Sequence, residues 1–434
     1  MNKVAFYTLG CKVNQYETEA MEELFESKGY TVVDENEIAD IYVINTCTVT
    51  NLSDRKSRQF ISRAKKSNED ATIAVVGCYS QVSPDEVAGI EGVDVVIGTT
   101  ERGRVLELCE KSRENKEKFN IVKNIKAHKE FEAIKIEDIK SKTRAYIKIQ
   151  DGCNQFCSYC IIPYARGPIK SRPMEDIIAE TEKLARAGFK EIVLTGIHVA
   201  SYGKDLKDTS LIDVLERVGE IEGIERIRLS SIEPTLIDDD FMKRLVKIGK
   251  VCDHFHLSLQ SGSSTVLKRM NRKYGPEDYK KIVGLIREYM PDAGITTDII
   301  VGFPGETDDE FNETCEFVRD IGFSRIHVFK YSPRRGTPAA KYEGQVHGNI
   351  KSQRSEKLIS LGKEMMKEFN SKFIDRNLSV LFEEESKRQK DYIEGYTRNY
   401  IRVKAENNAS LIGQVVDVRI HSSRNDFLLG QKIE

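Results

Sequence analysis

The sequence predicts an α/β chain in three parts: an N-terminal doubly wound parallel sheet, a central partial (βα)6 barrel and a small C-terminal β-barrel. Three observations carry this. Short, near-continuous apolar runs alternate with amphipathic helical stretches through the first hundred residues, the mark of parallel strands covered on both faces. The alternation resumes at residue 143 and yields six strand–helix repeats, short of the eight of a closed barrel. The last sixty residues break into short alternating strands punctuated by Gly and Asn.

The first strands are expected at 4–9, 41–45, 72–77 and 93–98, with helices near 15–29, 51–66, 83–89 and 101–115. Residues 111–142 are charge-rich and nearly free of Gly and Pro, so 119–142 is read as a charged linker, with room for one edge strand, between a domain at 1–118 and a second at 143–372. Six strands are expected in the second domain, at 144–150, 191–195, 226–230, 255–259, 296–301 and 325–331. Helical patterns at 175–188, 211–219, 238–249, 275–290 and 307–320 lie between them, and a long polar helix at 348–373 follows. The β-barrel occupies 373–434.

The 67 basic and 69 acidic residues nearly cancel, so any contact with nucleic acid must come from local patches. No apolar run is long enough to span a bilayer, and the N-terminus lacks the apolar core of a signal peptide. The expected location is the cytosol. Nine cysteines in a cytosolic chain argue for metal binding or chemistry rather than disulfides.

Cys153, Cys157 and Cys160, in CNQFCSYC, directly follow the first strand of the partial barrel. Active sites of such barrels are built at the C-terminal ends of the strands. Three thiolates leave one iron of a [4Fe–4S] cluster without a protein ligand, and an open position marks a catalytic metal site. Three core cysteines or a zinc site are the alternatives, and zinc lacks a nearby fourth ligand, with His198 the first that could serve. Cys11, Cys47 and Cys78 each follow a strand of the N-terminal sheet. Cysteines after successive parallel strands fall on one edge, where open α/β sheets bind ligands. These three therefore suggest a second three-cysteine cluster, against the alternative of ordinary packed thiols. Cys109, Cys252 and Cys315 are read as half-buried structural cysteines.

The run CNQFCSYCIIPYARG resembles the radical S-adenosylmethionine (SAM) superfamily, and YTLGCKVNQYET, VINTCTVT and VVGCYSQ resemble the three cysteine motifs of its methylthiotransferase family. The resemblance covers the whole chain. It implies two [4Fe–4S] clusters and SAM as cofactors, with Tyr159 near the adenine. It also implies cofactor contacts from Thr195 and Gly196 at the end of the second barrel strand, Glu233 at the third, and Gln260 and Ser261 at the fourth. The C-terminal part resembles a TRAM domain, an RNA-binding barrel. Lys12-Val13-Asn14-Gln15 after Cys11 places the chain nearest the branch that modifies threonylcarbamoyladenosine in tRNA; other branches act on isopentenyladenosine in tRNA or on an aspartate of a ribosomal protein.

The implied reaction adds a methylthio group at carbon 2 of the adenine at tRNA position 37. That carbon bears an unactivated hydrogen that no side-chain base can remove, so a cofactor-derived radical is required. The implied partners are the tRNA anticodon loop, whose unpaired bases can be splayed into a pocket, and an electron donor such as flavodoxin or ferredoxin. A monomer is expected. Candidate RNA contacts are Arg334 and Arg335 in YSPRRGTP and Tyr396 and Arg398 in GYTRNYIRVK, with Arg55, Arg58, Lys65 and Lys66 on a helix as a further patch. A metal-stabilised RNA-binding protein without catalysis is the reading from another class.

Overall fold

The structure is a computed structural model that describes residues 2–132 and 143–433. The part of the expected linker at 133–142 lies outside the described residues. The chain divides into two compact units. The first comprises Met1–Ile139, Lys148–Arg172 and Ser332–Ala340; the second comprises Lys140–Ile147, Pro173–Tyr331 and Lys341–Glu434.

The first unit is built on a six-stranded parallel sheet. Its elements run β1 (Lys3–Thr8), α1 (Lys12–Glu26), β2 (Thr31–Val33), β3 (Ile41–Thr46), α2 (Asn51–Ser67), β4 (Thr72–Gly77), α3 (Cys78–Val82), α4 (Pro84–Ala88), β5 (Val95–Val96), α5 (Val105–Asn115) and β6 (Phe119–Asn120). The strand order is β2-β1-β3-β4-β5-β6. β3 and β4 are buried along their whole length, which is why they read as continuous apolar runs. Two apolar layers follow from the alternation of side chains. One packs Val4, Val43 and Val76 against Met21, Phe25, Leu106 and Cys109 of α1 and α5. The other packs Ala5, Ile44 and Val75 against Phe60, Ile61 and Ala64 of α2. The short strand β6 falls inside the stretch read as linker and pairs with β5.

After β7 (Arg144–Asp151), whose last four residues belong to the first unit, come α6 (Ile162–Arg166) and β8 (Lys170–Ser171). β8 pairs antiparallel with the end of β7.

The second unit continues with α7 (Met174–Arg186), β9 (Glu191–Gly196), α8 (Leu211–Gly219), β10 (Arg226–Leu229), α9 (Asp239–Lys247), β11 (His254–His256), α10 (Ser264–Arg269), α11 (Pro276–Tyr289), β12 (Gly294–Val301), α12 (Asp308–Ile321), β13 (Arg325–Lys330) and α13 (Gly348–Ser371). β9 and β10 pair in parallel, as do β11, β12 and β13, and single bridges at Ile227–Val251 and Ile232–Leu257 join the two groups. With the start of β7 beside β9, these are the six strands of a partial barrel. The unit ends in a closed barrel of five strands, β14 (Asn377–Glu385), β15 (Tyr392–Thr397), β16 (Arg402–Glu406), β17 (Val415–Arg424) and β18 (Phe427–Lys432), in the order β14-β15-β16-β18-β17. Val380, Phe382, Val403, Val418 and Leu428 fill it. No helix among the described residues is long and apolar enough to cross a membrane.

Candidate metal centre

Cys11, Cys47 and Cys78 follow β1, β3 and β4, three neighbouring strands of the first unit's sheet. Parallel strands end on one edge, so topology alone delivers the three thiols there. Cys47 and Cys78 are buried and Cys11 is exposed. Each turn is shaped locally. Gly77, just before Cys78, has φ +98°, and a Cβ there would stand 2.7 Å from both Asn45 Oδ1 and the Thr46 carbonyl oxygen. Only glycine fits such a position without strain. The Cys11 thiol donates to Asn14 Oδ1 at 3.3 Å. Asn14 Nδ2 in turn donates to Asn45 Oδ1 at 3.0 Å, and Asn45 Nδ2 returns a bond to the Asn14 carbonyl at 2.9 Å. This buried amide pair ties the Cys11 turn to the strand that leads to Cys47.

Two of these thiols, Cys47 and Cys78, are shifted by their surroundings. Burial pushes the Cys78 thiol up to about 12 against the pull of Arg166, with Cys47 and Cys11 adding to the rise. Burial also raises Cys47, again with a contribution from Cys11. Loading a metal there must therefore displace protons. Val49 N–H approaches Cys47 Sγ at 3.5 Å, and Arg166 Nε donates to Cys78 Sγ at 3.3 Å. Among the described residues no three His, Cys, Asp or Glu side chains are gathered around a single-ion site. A cubane cluster takes each cysteine on a different iron, whereas one ion draws its ligands onto one point. Three thiols on one sheet edge, two with N–H donors at sulfur, fit a cluster with an open iron.

The second set also lies in the first unit. Cys153 follows Gly152, whose φ is +72° and whose Cβ would meet the Pro168 carbonyl oxygen at 1.8 Å. The loop is held by Cys153 N–H to Gly167 O and Cys160 N–H to Cys157 O, both 3.0 Å, and by Ala339 N–H to Ser158 O at 2.8 Å. Gln155 N–H points at Cys153 Sγ at 3.5 Å. Three cysteines in one short loop with a sulfur-directed N–H suit a three-thiolate cluster site. Tyr159 is half-buried in the same loop.

A buried ion network lies beside the cysteines. Glu17 pairs with Arg102, Arg166 and Lys148 (2.8 Å from Lys148), and Asp151 pairs with Lys148 and with Arg166. Arg102 also meets Glu132, and Lys170 Nζ donates to the Arg166 carbonyl at 2.9 Å. Burial would raise the Glu17 carboxyl, but Arg102, Arg166 and Lys148 outweigh it and hold it down at about 2. Asp151 is likewise held well below the carboxylate range, Lys148 and Arg166 overcoming its burial.

In the second unit, Thr195 and Gly196 end β9; Thr195 is buried, and its Oγ1 has no hydrogen-bond partner among the described residues. Glu233, past β10, is gripped by Arg272 Nη2 at 2.9 Å and faces His198 Nε2 at 3.3 Å. These partners override burial and keep its carboxyl below the usual range. Gln260 holds φ +75°, a conformation costly for a side chain, while its backbone bridges to β12. Ser261 differs from expectation. It is fully buried and bonds Thr314 Oγ1 at 3.2 Å and the Ser263 N–H at 3.2 Å, so its hydroxyl is engaged in shaping the turn before α10 rather than open to a cofactor.

Residues 147–318 match the family described as the radical SAM superfamily, and residues 3–98 match one described as uncharacterized protein family UPF0004. The threonylcarbamoyladenosine tRNA methylthiotransferase MtaB of Bacillus subtilis is 45% identical over 434 residues, covering 99% of this chain and 96% of that one. This chain belongs to the methylthiotransferase family of radical SAM enzymes. The Aquifex aeolicus MtaB is 42% identical, covering 96% of this chain and 100% of its own. A tRNA-2-methylthio-N(6)-dimethylallyladenosine synthase of Clostridium tetani is 38% identical, with coverages of 98% and 95%. Among solved structures, the radical SAM methyltransferase TsrM of Kitasatospora setae aligns at TM-score 0.56 and 16% identity over 78% of this chain and 77% of its own, a likeness of fold. As a radical SAM methylthiotransferase the chain is an enzyme, a transferase, and its family implies a [4Fe–4S] cluster and SAM.

The structure places the expected RNA contacts of this methylthiotransferase unevenly. Arg335 is exposed. Arg334 is buried in the first unit, where it pairs with Asp54 at 2.6 Å and meets Thr48 and Asn51, so it ties its loop to the turn after Cys47 instead of facing solvent. Within the second unit, Tyr396 stacks on Tyr400 with Arg144 over the ring, and Arg398 pairs with Asp253 at 3.3 Å and donates to the Val251 carbonyl at 2.6 Å. Tyr396 thereby packs the C-terminal barrel against β7, and Arg398 fastens it to the segment just before β11. On α2, Arg55 and Lys66 are exposed, while Arg58 bonds Tyr79 OH at 2.8 Å. Cys109, Cys252 and Cys315 are buried more completely than expected. Sequence reading missed Asn14, Asn45, Glu17, Arg102, Lys148, Asp151, Arg166 and Arg272 as site residues. Apart from the Lys148–Asp151 pair, most of their partners lie far off in the chain, and no spacing announces them.

Proposed function

We propose that this methylthiotransferase adds a methylthio group to carbon 2 of N6-threonylcarbamoyladenosine at position 37 of tRNA. The observation that carries the reading is the presence of two three-cysteine sets in one compact unit. Cys153, Cys157 and Cys160 would hold the cluster that works with SAM, and Cys11, Cys47 and Cys78 a second [4Fe–4S] cluster. Together these groups supply radical hydrogen abstraction and a sulfur to insert. The chain's own residues bind and orient. Thr195 offers an unpartnered hydroxyl at a strand end, and Glu233 is fixed by Arg272 and His198 at the next strand end, where a partial barrel receives its cofactor. Gly196, Gln260 and Tyr159 are the remaining candidates for that cofactor.

The choice of nucleoside is supported by the full-length similarity to MtaB of Bacillus subtilis at 45%, against 38% for the dimethylallyladenosine synthase. Exposed Arg335 and the C-terminal barrel are the proposed tRNA contacts, and Arg334, Tyr396 and Arg398 serve them by holding these elements in place. The proposed setting is the cytoplasm, with a flavodoxin or ferredoxin as electron donor and the chain acting as a monomer.

Mass spectrometry of nucleosides from a deletion strain tests the proposal. The methylthio form of threonylcarbamoyladenosine should vanish and return with the gene on a plasmid. Loss of the methylthio group from isopentenyladenosine, or from a ribosomal-protein aspartate, would overturn the choice of substrate.

A further inference from the structure

Among the described residues of the first unit, N–H donors reach the sulfurs of Cys47, Cys78 and Cys153. At Cys47 and Cys153 the donor is the backbone two residues along. At Cys78 it is a guanidinium 88 residues away in sequence, Arg166 Nε at 3.3 Å. Arg166 is fully buried, and it ends α6, the short helix that begins two residues after Cys160. That helix is fixed to the N-terminal sheet by Thr99 Oγ1, which donates to the Ala165 carbonyl at 2.7 Å. The same loop-and-helix segment therefore carries the cysteines of one set at one end and a charged donor to a cysteine of the other set at its far end.

The charges around Arg166 have a direction. Among the described residues, Arg102, Lys148, Arg166 and Lys170 face Glu17, Asp151 and Glu132, four cations to three carboxylates. Three thiolates outweigh the charge of an oxidised [4Fe–4S] core, and reduction adds one more negative charge. Cluster potentials respond to net charge and to hydrogen bonds at sulfur. A buried guanidinium bonded to a ligand sulfur favours the reduced, more negative form.

We infer that Arg166 is a positioning residue of the N-terminal cluster: its guanidinium, held by Glu17 and Asp151, raises that cluster's reduction potential and helps retain it through the bond to Cys78. This rests on the proposal that Cys11, Cys47 and Cys78 hold a cluster. Asn14 belongs to the same arrangement, since its Oδ1 accepts from the Cys11 thiol at 3.3 Å and from Arg166 Nη2 at 3.5 Å.

The test uses the full chain carrying Cys153→Ala, Cys157→Ala and Cys160→Ala, reconstituted without oxygen, so that any remaining cluster is the N-terminal one. Arg166→Gln and Arg166→Lys are added separately. Iron content and the midpoint potential, from titration of the paramagnetic reduced signal, are read for each. With Arg166→Gln the equilibrium constant for reduction should fall about tenfold, which is about 59 mV for one electron. Arg166→Lys keeps the charge but loses the planar donor, so its shift should be smaller and in the same direction. If Arg166→Gln fails to fold, Arg166→Lys carries the test. A folded variant that loses its iron supports the retention role. Unchanged iron with the parent potential in the folded variants overturns the inference alone. No iron in the three-cysteine parent overturns the second cluster and this inference with it.

Discussion

Cys153, Cys157 and Cys160 share one loop of eight residues, whereas Cys11, Cys47 and Cys78 sit on three turns separated by whole strand–helix repeats. The central set is assembled by local backbone: a glycine at positive φ, a strand end and a few turn hydrogen bonds. The N-terminal set is assembled by tertiary structure, through the order of the sheet, the Asn14–Asn45 amide pair and Arg166. The first kind of site is written in a short motif. The second exists only when the domain is folded, so it should answer to changes far from any cysteine.

The largest expected effect separates the two sets by chemistry. Replacing Cys153, Cys157 and Cys160 with Ala should reduce reductive cleavage of SAM to background. Replacing Cys11, Cys47 and Cys78 should leave that cleavage measurable while abolishing methylthio product. Chromatography of 5′-deoxyadenosine and of modified nucleoside reads both, and equal loss of cleavage in the two variants would break the distinction. Next come the glycines. Gly152→Ala drives a Cβ to 1.8 Å from the Pro168 carbonyl and should cost the central set its iron. Gly77→Ala, meeting atoms at 2.7 Å and strained by about 1–3 kcal/mol, should lower iron at the N-terminal set and spare SAM cleavage.

Acid should reveal the ion network beside the cysteines. The Glu17 carboxyl stands at about 2 in the folded chain, below the ~4.3 of an unfolded glutamate. Its contribution is therefore complete above the unfolded value and is lost as pH falls through the folded one, between about pH 5 and 2. Urea melts of the cluster-free protein should steepen in stability loss across that window, and Glu17→Gln should flatten the slope. The smallest effect is expected at Asn45→Ala, which removes one member of the amide pair and should cost about 1–2 kcal/mol in the same melts.

Much of the fold was legible because strands buried on both faces carry continuous apolar runs; β3, β4 and α2 fall within a residue or so of their expected bounds. β2 was not, being too short for a periodic signal, whereas β6 answers to the one edge strand expected in the charged stretch, though a two-residue strand left its position unmarked. The placement of the six cysteines just past strand ends was legible from spacing. Glu17, Lys148 and Arg166 were not, since a buried ion pair between residues more than a hundred positions apart leaves no local trace. Arg334, Tyr396 and Arg398 show the converse. Arg and Tyr near a predicted loop or barrel read as a nucleic-acid surface, but the same side chains can pack and pair within the chain.

Iron and acid-labile sulfide content after anaerobic reconstitution tests the central claim most directly, measured on the parent chain and on the two three-cysteine variants. Two separate [4Fe–4S] sites predict about eight irons in the parent and about four in each variant. About four irons in the parent, falling to none without Cys153, Cys157 and Cys160 and unchanged without Cys11, Cys47 and Cys78, would contradict it.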